Sequence, residues 1–544
     1  MGKKYLIAFI IFIFAFAAGF QLLKPGLIPT HDAEYHIVRF YQFDKAIRDG
    51  NLYPRWAPDL NYGFGVPLFN YVYPLPNYLS FMTHLFGISF INSFKLIMFL
   101  SFVMGGIFFY FWARDFWGDL GGLVSSIVFL YSPYFFVDIY IRGSIGEVIA
   151  LSLFPGVLWS VNQALIQERF SFVPLSGIFL ALVIFSHNIL GFAFFIFLIF
   201  YILAIFYLFN KRKIILMESL KIILLGLGLS AIFWIPAIFE RNYVRGLEIF
   251  DLKRNFAELY QLVIPSWGSG FFGGGTNEMS VQIGIMNLLA IFISVFVLIK
   301  LKLKKKERKA GLITYFLVCF LILFILMTKF SSPVWDFVPF LNFFQFPWRL
   351  LSLTILVASF LSGSLFIISK SKILAFIIIA GAFFLGIGYT RPAYYHQRED
   401  SHYFTRSNFM DGTNSPGNVF NTKWMKWPLK REKEKIEFKD KSARILNSMI
   451  KSSRYVLEVS LRKETTMFVN TAYFPGWKVY VDSKSFPVGI ERNGSMSVNL
   501  PKGTHSIEAK LEDTPIRNIS KIISILSFFL IVFIFYKNFN PRNI

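Results

Sequence analysis

Long apolar stretches, separated by short polar segments, follow one another along most of the chain. Stretches of about 20 apolar residues can cross a hydrocarbon core of roughly 30 Å as an α-helix. Such stretches lie at residues 5–23, 91–113, 119–137, 145–165, 172–187, 189–209, 214–238, 279–299, 311–329, 347–369, 373–389 and 518–536. The pattern therefore predicts an α-helical polytopic membrane protein with about twelve transmembrane helices.

Two of these stretches need an interpretation of their own. The first follows Lys3 and Lys4, as a signal peptide would, but Gln21–Lys24 come next and no small-residue cleavage pattern does. It is interpreted as a retained first span. Residues 172–209 are interrupted only by Ser186, His187 and Asn188, which predicts a tight turn between two spans.

The basic clusters between the spans predict the orientation in the cell membrane. They lie at Lys211–Lys213, Lys302–Lys309 and Lys370–Lys372. With a cytoplasmic N-terminus all three fall on the cytoplasmic side, as the positive-inside rule requires, and the C-terminus is cytoplasmic too. The outer segments are then 24–90, 138–144, the turn at His187, 239–278, 330–346 and 390–517. Residues 76–87 of the first outer loop suit an interfacial or re-entrant helix.

The last outer segment has a different pattern. From about residue 432, short alternating runs such as 454–460 and 476–482 are separated by Pro, Gly, Asn and Asp. This predicts a small antiparallel β-sandwich. We therefore expect a membrane domain at 1–389 with a catalytic first outer loop at 24–90, an extracytoplasmic β-rich domain at 390–517, and a final helix with a cytoplasmic tail at 518–544.

Composition supports the membrane assignment and excludes some other classes. Hydrophobic residues make up 55% of the chain, charged residues 16%, and the mean hydropathy is +0.54. The net charge of +23 does not indicate nucleic-acid binding, because much of it sits in short clusters between spans. The single cysteine, Cys319, excludes an intramolecular disulfide and a cysteine-based zinc site.

The densest polar cluster opens the first outer loop, at His31, Asp32, Glu34, His36 and Arg39. A carboxylate at the membrane interface can act as a general base toward an attacking hydroxyl. Alternatively, Asp32 and Glu34 could hold a divalent cation such as Mg²⁺ or Mn²⁺.

Two further interpretations compete for this cluster. Thr30 could cap a helix whose first turn carries the acids. A zinc site from His31, Asp32 and His36 has a spacing that matches no strong metal motif. Because five such residues fall within nine positions, a functional role is favoured.

Four arginines are predicted near the outer surface, at positions 39, 55, 142 and 349. The positive-inside rule disfavours positive charge on the outer side of a membrane protein. These arginines therefore need a local interaction that explains their position. A guanidinium forms two parallel hydrogen bonds with phosphate oxygens, so a lipid phosphate at the headgroup boundary is a fitting partner. The alternative is pairing with Glu147, Glu240, other loop acids or lipid headgroups.

Other candidates line the same predicted face. Tyr134, Asp138, Arg142 and Glu147 bracket the end of one span and the start of the next, so we expect them to face one cavity. His187 and Asn188 add a titratable group and an amide, although a single histidine at a turn is more often structural. Trp56 and Tyr62 suit stacking on sugars and interfacial anchoring equally well.

Several motifs together resemble a known family. The stretch HDAEYHIVRFYQFDKAIRDGNLYPRWAPDLNYGFGVPLFNYVYPLPNYL is similar to the first-loop signature of the bacterial and archaeal "6-pyruvoyl-tetrahydropterin synthase-related" membrane proteins. Further matches, in chain order to residue 482, are YSPYFFVDIYIRGSIGEVIALSLFP, FSHNILG, FQFPWRLLSL, DGTNSPGNVFNTKW and AYFPGWKVYVD. Despite that family name, nothing here offers the three-histidine zinc site of a soluble pterin synthase. The membrane body instead resembles the GT-C glycosyltransferase superfamily.

This resemblance implies an inverting transfer of a sugar from a polyprenyl-phosphate donor to an extracytoplasmic glycan or lipid acceptor. Asp32 occupies the position that resembles the catalytic acid, with Glu34 as the alternative. Donor-phosphate binding is expected from Arg39, Arg55, Arg142, Arg349 and His187, and acceptor binding or support from His36, Trp56, Tyr62, Tyr134, Asp138, Glu147 and Asn188.

The rival hypothesis is a non-enzymatic role. It would make the chain a transporter or flippase of a lipid-linked glycan, or an assembly scaffold for envelope polysaccharide. Transporters place binding groups near mid-membrane, whereas the predicted span interiors here are almost uncharged and the polar groups lie at one face. That asymmetry favours an outward-facing enzyme.

Overall fold

The computed structural model describes residues 2–246, 252–426 and 430–539. Twenty α-helices form within these ranges. They are α1 (Gly2–Gly19), α2 (Ala33–Arg48), α3 (Leu68–Tyr71), α4 (Leu75–Leu85), α5 (Phe90–Leu130), α6 (Pro133–Phe136), α7 (Ile145–Leu165), α8 (Phe172–Ser186), α9 (Asn188–Leu208), α10 (Arg212–Leu229), α11 (Ala231–Phe239), α12 (Leu259–Val263), α13 (Ile285–Leu303), α14 (Glu307–Leu326), α15 (Ser332–Phe337), α16 (Leu351–Ser362), α17 (Lys372–Gly386), α18 (Ser401–Phe404), α19 (Ser407–Met410) and α20 (Pro515–Phe539). A π-helix, Val137–Arg142, follows α6.

Nine helices in the described ranges are long and apolar enough to cross a membrane, or ten if α10 and α11, bent by 70° at Ser230, form one span. The shorter apolar helix α8 also coincides with a predicted span. The prediction of a polytopic helical membrane protein is confirmed. The orientation of the termini remains a prediction, and residues 540–544 of the expected tail lie outside the described residues.

Glycines mark two of the boundaries between spans. Residues 91–113 and 119–137 are predicted as separate spans, and α5 consists of two helical parts that meet at Gly118, where the backbone leaves helical geometry (φ 77°, ψ 178°). Its second half ends at Leu130, before the short α6 and the π-helix. Helix α13 begins six residues after the predicted residue 279, because Gly284 adopts φ 98°, which a helix does not contain.

Nine strands form the predicted β-sandwich near the C-terminus. They are β1 (Ile436–Phe438), β2 (Arg444–Lys451), β3 (Arg454–Leu461), β4 (Thr465–Ala472), β5 (Trp477–Val481), β6 (Lys484–Phe486), β7 (Gly489–Ile490), β8 (Ser495–Leu500) and β9 (Gly503–Leu511). One sheet has the order β1-β4-β8-β7 and the other β2-β3-β9-β5-β6, with antiparallel pairs throughout. In β3 and β4 buried positions alternate with less buried ones, as two-sheet packing requires.

The sandwich and the helical body share packed surfaces. Trp56 and Phe64 of the first loop belong to the same hydrophobic cluster as Tyr455 and Trp477 of the sandwich. By contrast, Tyr403, which precedes the sandwich in the chain, packs in the core of the helical body. The segment that leads into the sandwich is therefore part of the packing around α2, where the first-loop acids lie.

Candidate functional site

The start of α2 is held by the π-helix segment. The backbone N–H groups of His31 and Asp32 donate to the carbonyls of Ile141 and Arg142, at 3.0 and 2.8 Å. Two backbone hydrogen bonds to a neighbouring segment fix this turn more firmly than side-chain contacts alone would. The first-loop acid and the Arg142 segment are therefore positioned together.

Gly143 makes this close approach sterically allowed. Its φ of 64° lies in the left-handed region, and a Cβ placed there would come within 2.1 Å of the Thr30 hydroxyl oxygen. A side chain would have to displace the residues that begin α2. Thr30 itself accepts a hydrogen bond from the N–H of Ala33 at 3.2 Å, so it helps to cap the helix, as one interpretation of the sequence expected.

Asp32 is the N-cap residue of α2, and its side chain has no partner among the described residues. It is only partly buried, and within the described ranges its carboxylate makes no hydrogen bond or ion pair. Its charge acts on His31 and Tyr73. A carboxylate with free lone pairs at the edge of a polar cluster is chemically able to accept a proton.

Glu34, two residues further, has a different neighbourhood. It pairs with Arg398 at 3.3 Å at a partly exposed position. His31 is also engaged elsewhere, since its Nε2 lies 2.9 Å from the carbonyl of Ser269 and its ring stacks on Phe271 at 4.3 Å. In the part of the chain that the structure describes, no group of three His, Cys, Asp or Glu side chains could hold a metal ion. A cation shared by Asp32 and Glu34 stays a prediction.

Glu147, at the start of α7, is the centre of a buried ion-pair cluster. Both of its oxygens accept hydrogen bonds of 2.6 Å from Arg142, and Oε1 also accepts one of 3.0 Å from Nε of Arg349. The carboxylate is fully buried and the two arginines nearly so. The sequence leaves open whether Arg142 and Arg349 bind phosphate or pair with Glu147. The structure shows that both donate hydrogen bonds to Glu147.

Asp138 and Tyr134 extend the cluster. Arg142 donates to Asp138 at 2.5 Å and to the Tyr134 hydroxyl at 3.4 Å. Burial, followed by the Glu147 charge, raises the pKa of Asp138 well above its usual value. Oδ2 of Asp138 and Nε1 of Trp348 are buried with no hydrogen-bond partner, and the Trp348 ring lies 5.0 Å from the Arg142 guanidinium. Orphaned buried groups of this kind mark a place for a ligand or an ordered water.

Arg39 differs from the other predicted arginines. Its Nε and Nη2 donate to Oδ1 and the carbonyl of Asn414, at 2.6 and 2.9 Å. Across the described residues it has no carboxylate partner. Its full positive charge therefore stays available to an anion, although two of its N–H groups are used.

His187 and His36 stand around the Tyr73 ring, with His187 5.0 Å and His36 6.5 Å from its centre. The Nδ1 of His187 accepts the N–H of Leu190 at 3.2 Å, and its Nε2 lies 3.7 Å from Glu147. Asn188 donates to the carbonyl of Tyr71 at 2.7 Å. These contacts place His36, His187 and Asn188 in the wall of the site.

The remaining predicted residues lie elsewhere. Arg55 is buried, donates to Asn70 at 2.9 Å, and lies 3.6 Å from Asp513. Trp56 meets Trp477 edge to face at 5.7 Å, and Tyr62 packs against the same sandwich cluster. The structure thus places all three at the junction with the sandwich and not beside Asp32.

Three contributors have no predicted role at the candidate site. The sequence does not single out Asn414, and it assigns no phosphate-binding or supporting role to Tyr73 or Gln345. Asn414 and Gln345 have φ of 56° and 64°, which a sequence does not reveal, and Gln345 accepts a 2.5 Å hydrogen bond from Arg349. Their roles depend on contacts with residues far away in the chain or on unusual backbone geometry.

Two cavities lie away from this cluster. One of about 260 Å³ is lined by residues including Glu258, Thr328 and Lys329. The other, of about 130 Å³, lies between the ends of α5, α13 and α17 and is mostly apolar. Neither cavity is lined by Asp32 or Arg39. The candidate site is therefore a cluster of polar side chains outside both cavities.

Residues 69–393 match the family described as "6-pyruvoyl-tetrahydropterin synthase related domain; membrane protein". The chain belongs to this family. The matched range includes Tyr73, Arg142, Glu147 and Arg349, whereas Asp32 and Arg39 precede it.

A relative and several solved structures align with part of this chain, and each alignment includes only part of the other protein. An uncharacterized protein of Lactococcus lactis subsp. cremoris (strain MG1363) is 25% identical over 269 residues, which are 47% of this chain and 43% of the relative. The chain thus matches less than half of that protein's length.

Two solved structures of other proteins align with part of this chain. The arabinofuranosyltransferase AftD from Mycobacteria aligns with 72% of this chain and 27% of its own, at 15% identity and a TM-score of 0.45. The Archaeoglobus fulgidus oligosaccharyltransferase aligns with 73% of this chain and 56% of its own, at 10% identity and a TM-score of 0.39.

Proposed function

We propose that this chain is a membrane glycosyltransferase that moves a sugar from a polyprenyl-phosphate donor to an extracytoplasmic glycan or lipid acceptor. One observation carries the proposal. The carboxylate of Asp32 and the guanidinium of Arg39 stand on α2 without an opposite charge paired to either, among the residues the structure describes. A base and an anion-binding cation are the two groups that such a transfer requires.

The spacing of the two residues suits the reaction. Positions seven apart lie two turns along one helix face, a rise of about 10.5 Å. His36, four residues after Asp32 and three before Arg39, lies on the same helix face, and its ring centre is 6.5 Å from that of Tyr73. A sugar phosphate and an acceptor hydroxyl can be accommodated between groups at this separation.

The proposed steps conserve charge and protons. Asp32 takes the proton of the acceptor hydroxyl, whose oxygen attacks the anomeric carbon from the face opposite the phosphate. The bond from that carbon to the phosphate oxygen breaks, and its electron pair stays on the phosphate. Arg39 stabilises the negative charge that develops there. The configuration at the anomeric carbon is inverted.

The buried ion-pair cluster around Glu147 adjoins Asp32, whose N–H donates to the carbonyl of Arg142. Its charges favour the binding of the donor phosphate. Arg142 and Arg349 both donate to Glu147, and Arg142 also donates to Asp138. Burial and the Glu147 charge raise the pKa of Asp138 well above its usual value. This weakens the balance of the two guanidiniums by Asp138 and so favours a phosphate nearby. Glu34, which pairs with Arg398, has no part in the proposed steps.

The test is transfer in proteoliposomes from a panel of polyprenyl-phosphate sugars, beginning with the donor that membranes containing the native chain consume. We expect Asp32→Asn to lower the rate at least 100-fold and Arg39→Met to lower it about as strongly. Glu34→Gln is the matched control and should retain most activity. Full activity of Asp32→Asn would exclude Asp32 as the base. Donor that crosses the bilayer unconsumed would establish the flippase alternative.

A further inference from the structure

Tyr73, between α3 and α4, has a hydroxyl that the fold leaves unused. Its oxygen makes no hydrogen bond with any described residue. Three other tyrosines of the first loop and α6 donate to protein acceptors: Tyr71 to the carbonyl of Glu240 at 2.7 Å, Tyr78 to that of Leu52 at 2.7 Å, and Tyr134 to Glu147 at 3.3 Å. The half-buried Tyr73 therefore has a hydroxyl that can donate a hydrogen bond to a ligand.

The phenol head of Tyr73 is held in place by a glycine. A Cβ on Gly146 would come within 2.5 Å of Cε2 and Cζ of Tyr73, and within 2.5 Å of the carbonyl of Ser186. The absence of a side chain at the start of α7 therefore makes room for the ring. His187 and His36 flank the same ring, which restricts its rotation.

The charges around the Tyr73 hydroxyl favour an anionic ligand to which the hydroxyl donates a hydrogen bond. Burial raises the pKa of Tyr73 to about 12, so the hydroxyl keeps its proton at neutral pH. The charged groups that act on it are Arg39, Asp32, Glu147 and Arg349. Glu147 is already bonded to two arginines, which leaves Arg39 as the cation free to share a ligand with this donor.

We propose that the Tyr73 hydroxyl donates a hydrogen bond to a non-bridging phosphate oxygen of the lipid-linked donor, beside Arg39. This inference rests on the proposed function. It adds Tyr73, a neutral hydrogen-bond donor, to the anion site that Arg39 forms. The hydroxyl keeps its proton throughout. Its hydrogen bond strengthens as the phosphate gains the electron pair of the breaking bond, so Tyr73 stabilises the departing phosphate more than the bound donor.

The first measurement is the binding of sugar-free polyprenyl phosphate to the full chain in nanodiscs, with the corresponding polyprenol as a neutral probe. Tyr73→Phe should weaken phosphate binding about tenfold or more, the usual effect of losing one hydrogen bond to a charged group, and leave polyprenol binding unchanged. Tyr35→Phe is the matched control, because Tyr35 is an exposed tyrosine on α2. It should bind both probes like the native chain.

The second measurement is transfer by the same variants once a donor is known. Tyr73→Phe should lower kcat more than it raises KM, and its thermal unfolding should match that of the native chain. Equal phosphate binding by Tyr73→Phe and the native chain overturns the inference while the proposed function stands. Absence of phosphate binding by the native chain overturns both. A selective loss in Tyr73→Phe, together with no transfer by the native chain from any donor, supports the phosphate site and rejects the transferase.

Discussion

The Oε1 atom of Glu147 accepts a hydrogen bond of 3.0 Å from Nε of Arg349, a residue 202 positions later in the chain. This contact joins the start of α7 to the segment that leads into α16, inside a region with almost no solvent. Buried charge is tolerated only when paired and hydrogen-bonded. The contact therefore stabilises the helical body as well as the electrostatics of the site.

Removing the charge of Glu147 should destabilise the protein. Glu147→Gln leaves Arg142 and Arg349 buried with only Asp138 to balance them, and breaking such a pair costs about 3–5 kcal/mol. We expect a lower midpoint for SDS-induced unfolding in mixed micelles, measured by circular dichroism. Glu464→Gln makes the same change at an exposed position and should leave the midpoint unchanged. Coincident midpoints for both variants would show that the pairing adds no stability.

Gly143 allows a comparison of strain with steric clash. Gly143→Ala places a Cβ at φ 64° and ψ 29°, in the left-handed region, which costs about 1 kcal/mol. Gly118→Ala places one at φ 77° and ψ 178°, a conformation that only glycine adopts readily and that costs more, about 1–3 kcal/mol. Only the Cβ at 143 meets another residue, Thr30, since nothing lies within 4 Å of the one at 118. We expect Gly118→Ala to lose at least as much backbone stability as Gly143→Ala, but only Gly143→Ala to lose transfer activity at least tenfold. Equal activities would mean that the start of α2 tolerates displacement.

The sandwich should depend on a second buried ion pair for its attachment. Arg517 of α20 donates to Glu240 at 2.9 Å, and both side chains are almost fully buried. Arg517→Met leaves Glu240 unpaired and should make the sandwich accessible to protease well below the unfolding temperature of the helices. Arg454→Met, which removes an exposed pair with Glu508, is the control.

A double variant tests the coupling of Glu240 and Arg517. Arg517→Met with Glu240→Gln should be less destabilised than the sum of the two single changes, because the second change relieves the charge that the first leaves unpaired. Protease resistance of the sandwich and the midpoint of thermal unfolding both report this. Strict additivity would show that the two side chains stabilise the junction independently.

Lys435, at the same junction, should make the stability of the folded protein depend on pH. Its Nζ donates to the carbonyl of Gly63 at 2.7 Å, and burial lowers its pKa from 10.5 to about 7. Between pH 7 and 10.5 the unfolded chain binds more protons at this residue than the folded one, so its penalty on folding decreases as pH rises through that window. Below pH 7 the penalty is fully present.

The corresponding measurement is thermal unfolding from pH 6 to 10. Relative to Lys435→Met, the native chain should gain stability between pH 7 and 10, and Lys433→Met at an exposed position should follow the native curve. A constant difference between the native chain and Lys435→Met across this range would mean that Lys435 keeps an ordinary pKa in the folded protein.

The membrane architecture followed from sequence because a single requirement, about 20 apolar residues, fixes each span. The strands of the sandwich followed likewise from a period of two. The predicted boundary differs from the structure where backbone conformation decides it, as at Gly284 before α13. A positive φ at a glycine is allowed by the sequence but is not required by it.

The sequence predicts a candidate site in the first outer loop but does not rank its members. The density of charge around Asp32 pointed to the first loop, whereas Arg39 and Arg55 looked equivalent. What separates them is the partner each finds: Asn414 for Arg39 and Asn70 with Asp513 for Arg55. Pairing across hundreds of residues depends on the folded arrangement, which no local pattern encodes.

The hydrogen bonds from Arg39 to Asn414 cross 375 positions of the chain. A ribosome therefore delivers the acid and the arginine early, while the residue that orients the arginine is made after almost all of the helices. A nascent chain that stops short of residue 414 carries Asp32 and Arg39 in an unfinished arrangement. Synthesis order thus decides when this arrangement can form, because the orientation of Arg39 depends on a residue in the last quarter of the chain.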